Sequence, residues 1–285
     1  MSFAADLFSA AGRVAVITGG GTGLGLWMAE AWVKNSGKVY ITGRREETLK
    51  AAVVKLNGIS KGSASYVKAD VSVQADINKL ASELSAREKA IDVLVNNAGT
   101  PGYDAKSPDA PLATFDQAAW VKQFTVNAWA PAAVTSALAS LLIEAAKKGE
   151  GRGSVILIGS VAQDFWSYSW PSNGYSVSKA AEAALTKTLA TKLIVHGVRV
   201  NTIKPGTFPT AMNDPSVPGS GAHEDSVRRN VPLNRNGTAD DITPIFLFFA
   251  TKAGAYVTGQ EIAVDGGWTL VANGVEPAGG ASAYI

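Results

Sequence analysis

The feature that most restricts the fold of this chain is a regular alternation of short apolar runs with longer stretches of helical period. Residues 14–18, 38–42, 64–68, 92–95, 154–158, 198–204 and 261–264 form apolar runs of strand length. Between them lie helical patterns at 24–35, 46–57, 73–88, 116–147, 176–196 and 239–251. An unbroken apolar strand is one buried on both faces, and a helix between two strands lets the second run parallel to the first. The pattern predicts an α/β fold with a doubly wound, mainly parallel seven-stranded sheet flanked by helices. No repeat or Pro/Gly-rich linker interrupts it, so residues 1–285 are read as a single domain. The least regular segments are 100–114, 205–237 and the tail after Trp268.

Composition removes several functions from consideration. A net charge of +2, with no basic run longer than two residues, argues against nucleic acid as a partner. The absence of cysteine excludes disulfides and thiolate metal sites, and two histidines are too few for most imidazole sites, so no metal is expected. The first residues lack the basic and apolar regions of a secretory signal, and Ala283-Tyr284-Ile285 is neither a peroxisomal nor a prenylation address. Residues 123–143 are uncharged over about the length of a membrane span. They include Gln123, Asn127 and Pro131, which suits a helix buried between the sheet and a neighbour better than one in lipid. A soluble, cytoplasmic protein is expected.

The first strand runs straight into Thr18-Gly19-Gly20-Gly21-Thr22-Gly23-Leu24-Gly25, and an amphipathic helix follows. A glycine turn lets backbone approach a pyrophosphate closely, and the helix N-terminus aims free N–H groups at it. Gly-rich turns are common, so the strand before and the helix after carry the inference of a dinucleotide site. About twenty residues on, where an acidic residue would take ribose hydroxyls, the second strand ends in Gly43-Arg44-Arg45. A guanidinium pairs a 2′-phosphate with two hydrogen bonds and stacks on adenine, which an acid would not do. Arg44, helped by Arg45, points to NADP(H); two solvated arginines at a helix start are the simpler alternative.

The spacing Gly-x3-Gly-x-Gly over Gly19, Gly23 and Gly25 resembles that of the short-chain dehydrogenase/reductase family, a single Rossmann domain with built-in catalytic groups. The resemblance covers about residues 12–268; residues 269–285 form a tail without a counterpart. It implies that Thr22 and Leu24 share the phosphate turn with the glycines. Asp70, followed by Val71, matches the family's adenine-contacting acid, although Asp70 also suits an N-cap of the next helix. Asn96-Asn97-Ala98-Gly99 matches the family's turn after the fourth strand, where Asn97, Ala98 and Gly99 would line the cofactor groove.

Tyr175 and Lys179 stand four residues apart, on one face of a predicted helix, just after a strand that ends in Gly159-Ser160. Carbonyl reduction by hydride needs a proton for the developing alkoxide. A free tyrosine, with a pKa of about 10, donates and accepts poorly at neutral pH, and a nearby ammonium lowers that value. The resemblance makes Tyr175 the general acid/base and has Lys179 tune it while binding nicotinamide ribose. It makes Ser160 the partner of the substrate oxygen and has Asn127 hold a water for proton relay. Ser160 lies fifteen positions before Tyr175, two more than the commonest family spacing, so a longer loop intervenes. Pro205-Gly206 and Thr210 match the family's Pro-Gly-x3-Thr segment, in which Thr210 would hydrogen-bond the carboxamide.

The expected function is NADP(H)-dependent hydride transfer between nicotinamide and a carbonyl or secondary alcohol, with 3-oxoacyl-thioester reduction as a narrower version. A redox-silent relative, acting as an NADP(H) sensor or as a cyclase or isomerase, is the alternative. Phe165, Trp166, Tyr168 and Trp170 suit a pocket for a bulky apolar substrate, or equally a core or subunit contact. Residues 205–237 read as a substrate lid. The resemblance implies a homo-oligomer, a tetramer or a dimer, formed through the 123–143 helix and the helix after Tyr175.

Overall fold

The computed structural model describes residues 2–101, 116–164, 173–217 and 220–272. Strands β1 (Val14–Thr18), β2 (Lys38–Gly43), β3 (Ala64–Lys68), β4 (Val93–Asn96), β5 (Ser154–Ile158), β6 (Arg199–Pro205) and β7 (Glu261–Val264) form one sheet in the order β3-β2-β1-β4-β5-β6-β7. Every pairing is parallel, with β1 and β4 adjacent at the point where the order reverses. Each strand lies within one residue of its expected position. The helices are α1 (Phe3–Leu7), α2 (Gly23–Lys34), α3 (Glu46–Ile59), α4 (Gln74–Arg87), α5 (Gln117–Phe124), α6 (Ala130–Ala137), α7 (Ala139–Ala146), α8 (Asn173–Leu193), α9 (Glu224–Asn230), α10 (Ala239–Ala250) and α11 (Trp268–Val271).

Successive strand side chains point to opposite faces, so each strand feeds two cores. Ala15, Ile17, Ile156 and Ile158 meet Trp32 of α2, Leu49 of α3 and Phe246 of α10 on one face. Val16, Val155 and Leu157 meet Leu80 of α4, Leu142 of α7 and Ala190 of α8 on the other. Trp32 is fully buried, its ring 5.9 Å from that of Phe246 and its indole N–H donating to the Lys38 carbonyl at 2.9 Å. Polar staples close the N-terminal edge of the sheet. Arg199 donates to the carbonyls of Gly151, Phe249, Gly254 and Val257, while Asp92 accepts from the Val14 N–H and from Arg152. The opposite edge, where the strands end, is left to the loops.

The single helix expected over 116–147 is broken in three. Between α5 and α6 the chain makes one π turn, Thr125–Trp129, in which the Ala130 N–H reaches back five residues to the Thr125 carbonyl. Pro131 accounts for the turn: it has no N–H to offer the Asn127 carbonyl, so the ordinary i→i−4 ladder stops there. A second break at Leu138 turns α7 by 61° from the α5–α6 limb. Among the described residues no single helix is long and apolar enough to cross a membrane, and Ala130, Val134, Leu141 and Leu142 of this bent run lie in the core.

Segment 205–237, expected to be irregular, contains α9. Asn213 accepts the Ala222 N–H at 3.0 Å and Asn236 donates to the Ala222 carbonyl at 2.9 Å, so side-chain amides stand in for regular ladders there. The aromatic residues Phe165, Trp166, Tyr168 and Trp170 lie outside the described residues, as does the tail from residue 273.

Candidate active site

The glycine turn is shaped by what must fit around it. Gly19 has φ +64°, and a Cβ there would lie 2.9 Å from Asn97 Nδ2. At Gly25 a Cβ would stand 2.6 Å from the Gly19 carbonyl, because α2 folds back against the turn. Gly23 opens α2, and Thr22, extended and exposed, makes no side-chain cap to it. The first N–H groups of a twelve-residue helix therefore have no side-chain partner at their cap, and its first turn carries no acid. Leu24 is half-buried and packs on the core, which holds the helix start in place.

Thr18 and Asn97 lock the ends of β1 and β4 together. Thr18 Oγ1, 2% exposed, accepts the N–H groups of Asn97 (3.0 Å) and Ala98 (2.9 Å). Asn97 Nδ2 returns bonds to the carbonyls of Thr18 (2.8 Å) and Gly19 (3.2 Å). The groove at the reversal of strand order thus has a floor of fixed backbone.

Along the groove, Arg44 and Arg45 are exposed at the end of β2, and among the described residues neither guanidinium makes a hydrogen bond or ion pair. Asp70 is half-buried. Its Oδ1 accepts the Ser72 N–H (2.9 Å) and hydroxyl (2.6 Å), and its own N–H donates to Asp76 at 2.8 Å. Burial raises its pKa, but the Ser72 bonds and the charges of Arg44 and Lys122 outweigh that and hold the carboxyl below its ordinary range. The N-cap of α4 is Val73, so the N-cap reading of Asp70 is corrected: its side chain closes a local turn onto Ser72. Val71 is buried in the α4-side core. An open cleft of about 480 Å³ beside Asp70 is lined by Ser72, Gln117, Val121, Lys122, Thr125 and Val126; Ser160, Tyr175 and Lys179 are not among its walls.

The tyrosine–lysine pair lies at the other end. Tyr175 is half-buried in the first turns of α8, and Lys179, one turn on, is 5% exposed. Lys179 Nζ donates to the Ile158 carbonyl at the end of β5 and to Glu182 Oε2, each at 2.6 Å. Burial opposes the ammonium, but Glu182 and Tyr175 hold the Lys179 pKa above its ordinary value; burial in turn raises the Glu182 carboxyl, against the pull of Lys179.

Asn127 is fully buried in the π turn. Its Oδ1 accepts the Thr100 N–H at 2.9 Å, and its Nδ2 donates to the Thr100 carbonyl and to Ser178 Oγ, both at 3.0 Å. Ser178 in turn donates to the Tyr175 carbonyl at 2.7 Å, which ties the π turn to α8. A Cβ on Gly99 would sit 3.5 Å from Asn127 Oδ1 and 3.9 Å from Lys179 Nζ, so those residues converge. Ser160 stands two residues past the end of β5, 8% exposed, and its Oγ caps a short 3₁₀ turn, Val161–Gln163, by accepting the Ala162 N–H at 3.1 Å. That turn packs on α8, but among the described residues no hydrogen bond joins the Ser160 and Tyr175 hydroxyls.

The groove is roofed from β6. Pro205 ends the strand, the Gly206 N–H donates to the Val264 carbonyl at 2.9 Å, and Phe208 is buried with its ring 6.5 Å from Trp27 of α2. Thr210 bridges to Asn213 and reaches back over the glycine turn, its Cγ2 3.2 Å from where a Gly23 Cβ would stand. Sequence reasoning missed Glu182, Ser178 and Thr100. Only Glu182 had a legible signal, an acid three residues past Lys179 on the same helix.

The family profile described as enoyl-(acyl carrier protein) reductase matches residues 19–269. The short-chain dehydrogenase/reductase PhomF of Diaporthe leptostromiformis is 33% identical over 276 residues, covering 93% of this chain and 94% of that protein. The rhamnolipids biosynthesis 3-oxoacyl-(acyl-carrier-protein) reductase of Pseudomonas aeruginosa is 33% identical over 268 residues, with 92% and 98% covered. Among solved structures, a gluconate 5-dehydrogenase from Burkholderia cenocepacia in complex with NADP and tartrate superposes with a TM-score of 0.82 at 30% identity, covering 94% of this chain and 99% of the other. The Pseudomonas aeruginosa RhlG/NADP active-site complex gives 0.80 at 30%, covering 93% and 99%. With a glycine turn at the sheet's reversal point, a buried lysine one turn beyond a helix tyrosine, and a family profile matched over most of its length, this chain belongs to the short-chain dehydrogenase/reductase family.

Proposed function

We propose that the chain is an NADP(H)-dependent oxidoreductase that interconverts a carbonyl and a secondary alcohol. The observation that carries the reading is the buried Lys179 ammonium one helical turn beyond Tyr175, held by the Ile158 carbonyl and Glu182. The groove fits the cofactor: an α2 start with no side-chain cap suits a pyrophosphate, and two exposed arginines whose guanidinium groups make no hydrogen bond or ion pair among the described residues suit a 2′-phosphate. Two similar structures are described as NADP complexes, which supports the same choice.

When bound, the dinucleotide supplies or accepts the hydride. Gly19, Thr22, Gly23, Leu24 and Gly25 hold its phosphates, Arg44 and Arg45 its 2′-phosphate, and Asp70 and Val71 its adenine. Asn97, Ala98 and Gly99 line the groove, and Pro205, Gly206 and Thr210 fix the nicotinamide end. Ser160 orients the substrate oxygen. The Tyr175 hydroxyl gives that oxygen its proton on reduction and takes it back on oxidation. Lys179 stabilises the phenolate left behind and binds the nicotinamide ribose, and Asn127 positions a water for proton relay through Lys179.

The substrate is a carbonyl compound, bulky or apolar; the Pseudomonas relative supports a 3-oxoacyl thioester as a narrower form. Residues 205–237 act as the substrate lid. The assembly is a homotetramer or dimer through α5–α8, where Val121, Trp129 and Val177 stand exposed; a single-chain mass in light scattering would reject it.

NADPH oxidation across a panel of 3-oxoacyl thioesters, polycyclic ketones and small hydrophilic ketones tests the activity. Tyr175→Phe is expected to cut turnover about 100–10,000-fold while NADPH affinity changes little. A variant that kept most of the wild-type rate would overturn the assignment, and a chain that bound NADPH but oxidised it with no carbonyl would be a redox-silent relative.

A further inference from the structure

At the foot of the candidate site lies a buried carboxylate to which the reaction just described gives no role. Glu182 follows Lys179 by three residues on α8, is 1% exposed, and holds its Oε2 2.6 Å from Lys179 Nζ. A lysine that tunes a phenol does so through its positive charge, which favours the phenolate. Here a negative charge is held against that ammonium in a site closed to water, where charges act on each other strongly.

Other ionisable groups on the elements around α8 are engaged elsewhere. Lys204 of β6 pairs with Asp164 beyond the 3₁₀ turn, Arg199 of β6 donates to carbonyls at the far edge of the sheet, Lys187 of α8 donates to the Gly259 carbonyl, and Lys122 of α5 acts on Asp70. The charge that acts on Glu182 is that of Lys179, and the groups that act on Lys179 are Glu182 and Tyr175.

Building on the assignment of Tyr175 as proton donor, we propose that Glu182 is a positioning residue whose carboxylate anchors the Lys179 ammonium and offsets its pull on the Tyr175 proton. The pair beside the phenol is then close to neutral overall. Tyr175 keeps its proton to higher pH than it would beside a lone ammonium, which favours donation to a carbonyl oxygen at neutral pH. Oxidation, which needs the phenolate, is displaced towards alkaline pH.

The test reads Tyr175 ionisation directly, as near-ultraviolet tyrosinate absorbance against pH, with the curve of the matching Tyr175→Phe protein subtracted and no substrate present. Glu182→Gln keeps the side-chain shape and removes the charge; its Tyr175 transition is expected about one pH unit or more below that of wild type. Lys179→Met/Glu182→Gln is the second arm; it removes both charges together and leaves no unpaired buried charge. Where the pair is close to neutral, its transition stays within about half a unit of wild type. A lone tuning ammonium would, on deletion, let the transition rise by about one unit or more. An unmoved transition in Glu182→Gln overturns the proposal; should that variant not fold, a rise of that size in the double variant does so. Neither arm involves turnover, so failure here leaves the functional reading standing, whereas that reading falls on the Tyr175→Phe rate.

Discussion

Replacing Thr18 by Val isolates the lock beneath the cofactor groove, because the two side chains have nearly the same shape. Thr18 Oγ1 accepts the amide N–H groups of Asn97 and Ala98 at 3.0 and 2.9 Å, and the side chain is 2% exposed. Valine leaves both donors without that acceptor. An unsatisfied buried donor costs about 1–3 kcal/mol, and both amides belong to half-buried residues, so the sum falls near the lower end, about 2–4 kcal/mol. At the usual unfolding entropy per residue, a chain of this length should then melt about 3–7 °C lower. Thr18→Ser is the control: it keeps the acceptor and loses a methyl, at a cost of about 1 kcal/mol. Thermal unfolding followed by circular dichroism reads the stability, and NADPH fluorescence titration reads the groove. The valine variant is expected to melt below the serine variant and to bind NADPH more weakly than either serine or wild type. If valine melted level with wild type and serine fell below it, the methyl rather than the hydroxyl would be holding the groove, and the reasoning would be refuted.

Arg44→Ser removes a guanidinium that makes no hydrogen bond or ion pair among the described residues and acts on Asp70 through its charge alone; NADPH affinity should fall about 10–100-fold while NADH affinity holds, as isothermal titration would show. Asp241 takes two bonds from Arg235 (2.7 and 2.8 Å) and accepts the Thr238 N–H and hydroxyl at the start of α10, and these bonds hold its carboxyl far below the ordinary range. A depressed carboxyl stabilises the fold above its unfolded pKa and loses that contribution as pH falls through the folded value. Asp241→Asn should therefore cost about 1 kcal/mol at neutral pH in urea unfolding, with the gap to wild type closing below about pH 4.

What sequence alone determined here was local and periodic. The seven strands were legible to within one residue because a strand buried on both faces leaves an unbroken apolar run, and the sheet buries 0–3% exposed residues such as Val39, Ile41, Leu94 and Ile156 on both sides. The glycine turn was legible because it is contiguous, and the tyrosine–lysine pair because helix spacing places it on one face. The broken helix was half-legible: Pro131 was in view, but an isolated proline bends or ends a helix in several ways, and the packing of Asn127 against Thr100 and Ser178 selects the π turn.

Tertiary structure decided everything that joins residues far apart in the chain. Asp70 could be weighed as an adenine contact or as a helix cap from its neighbours; the observed start of α4 at Gln74 removed the second option. Thr18 and Asn97 are 79 positions apart, and nothing periodic announces their exchange of hydrogen bonds. Glu182 stood in plain view as a helix acid, which on an exposed face would be a solvated charge. Only the packing of α8 against β6 and the end of β5 buries it with Lys179, and burial is what turns an ordinary i, i+3 pair into a strong electrostatic influence on its neighbours.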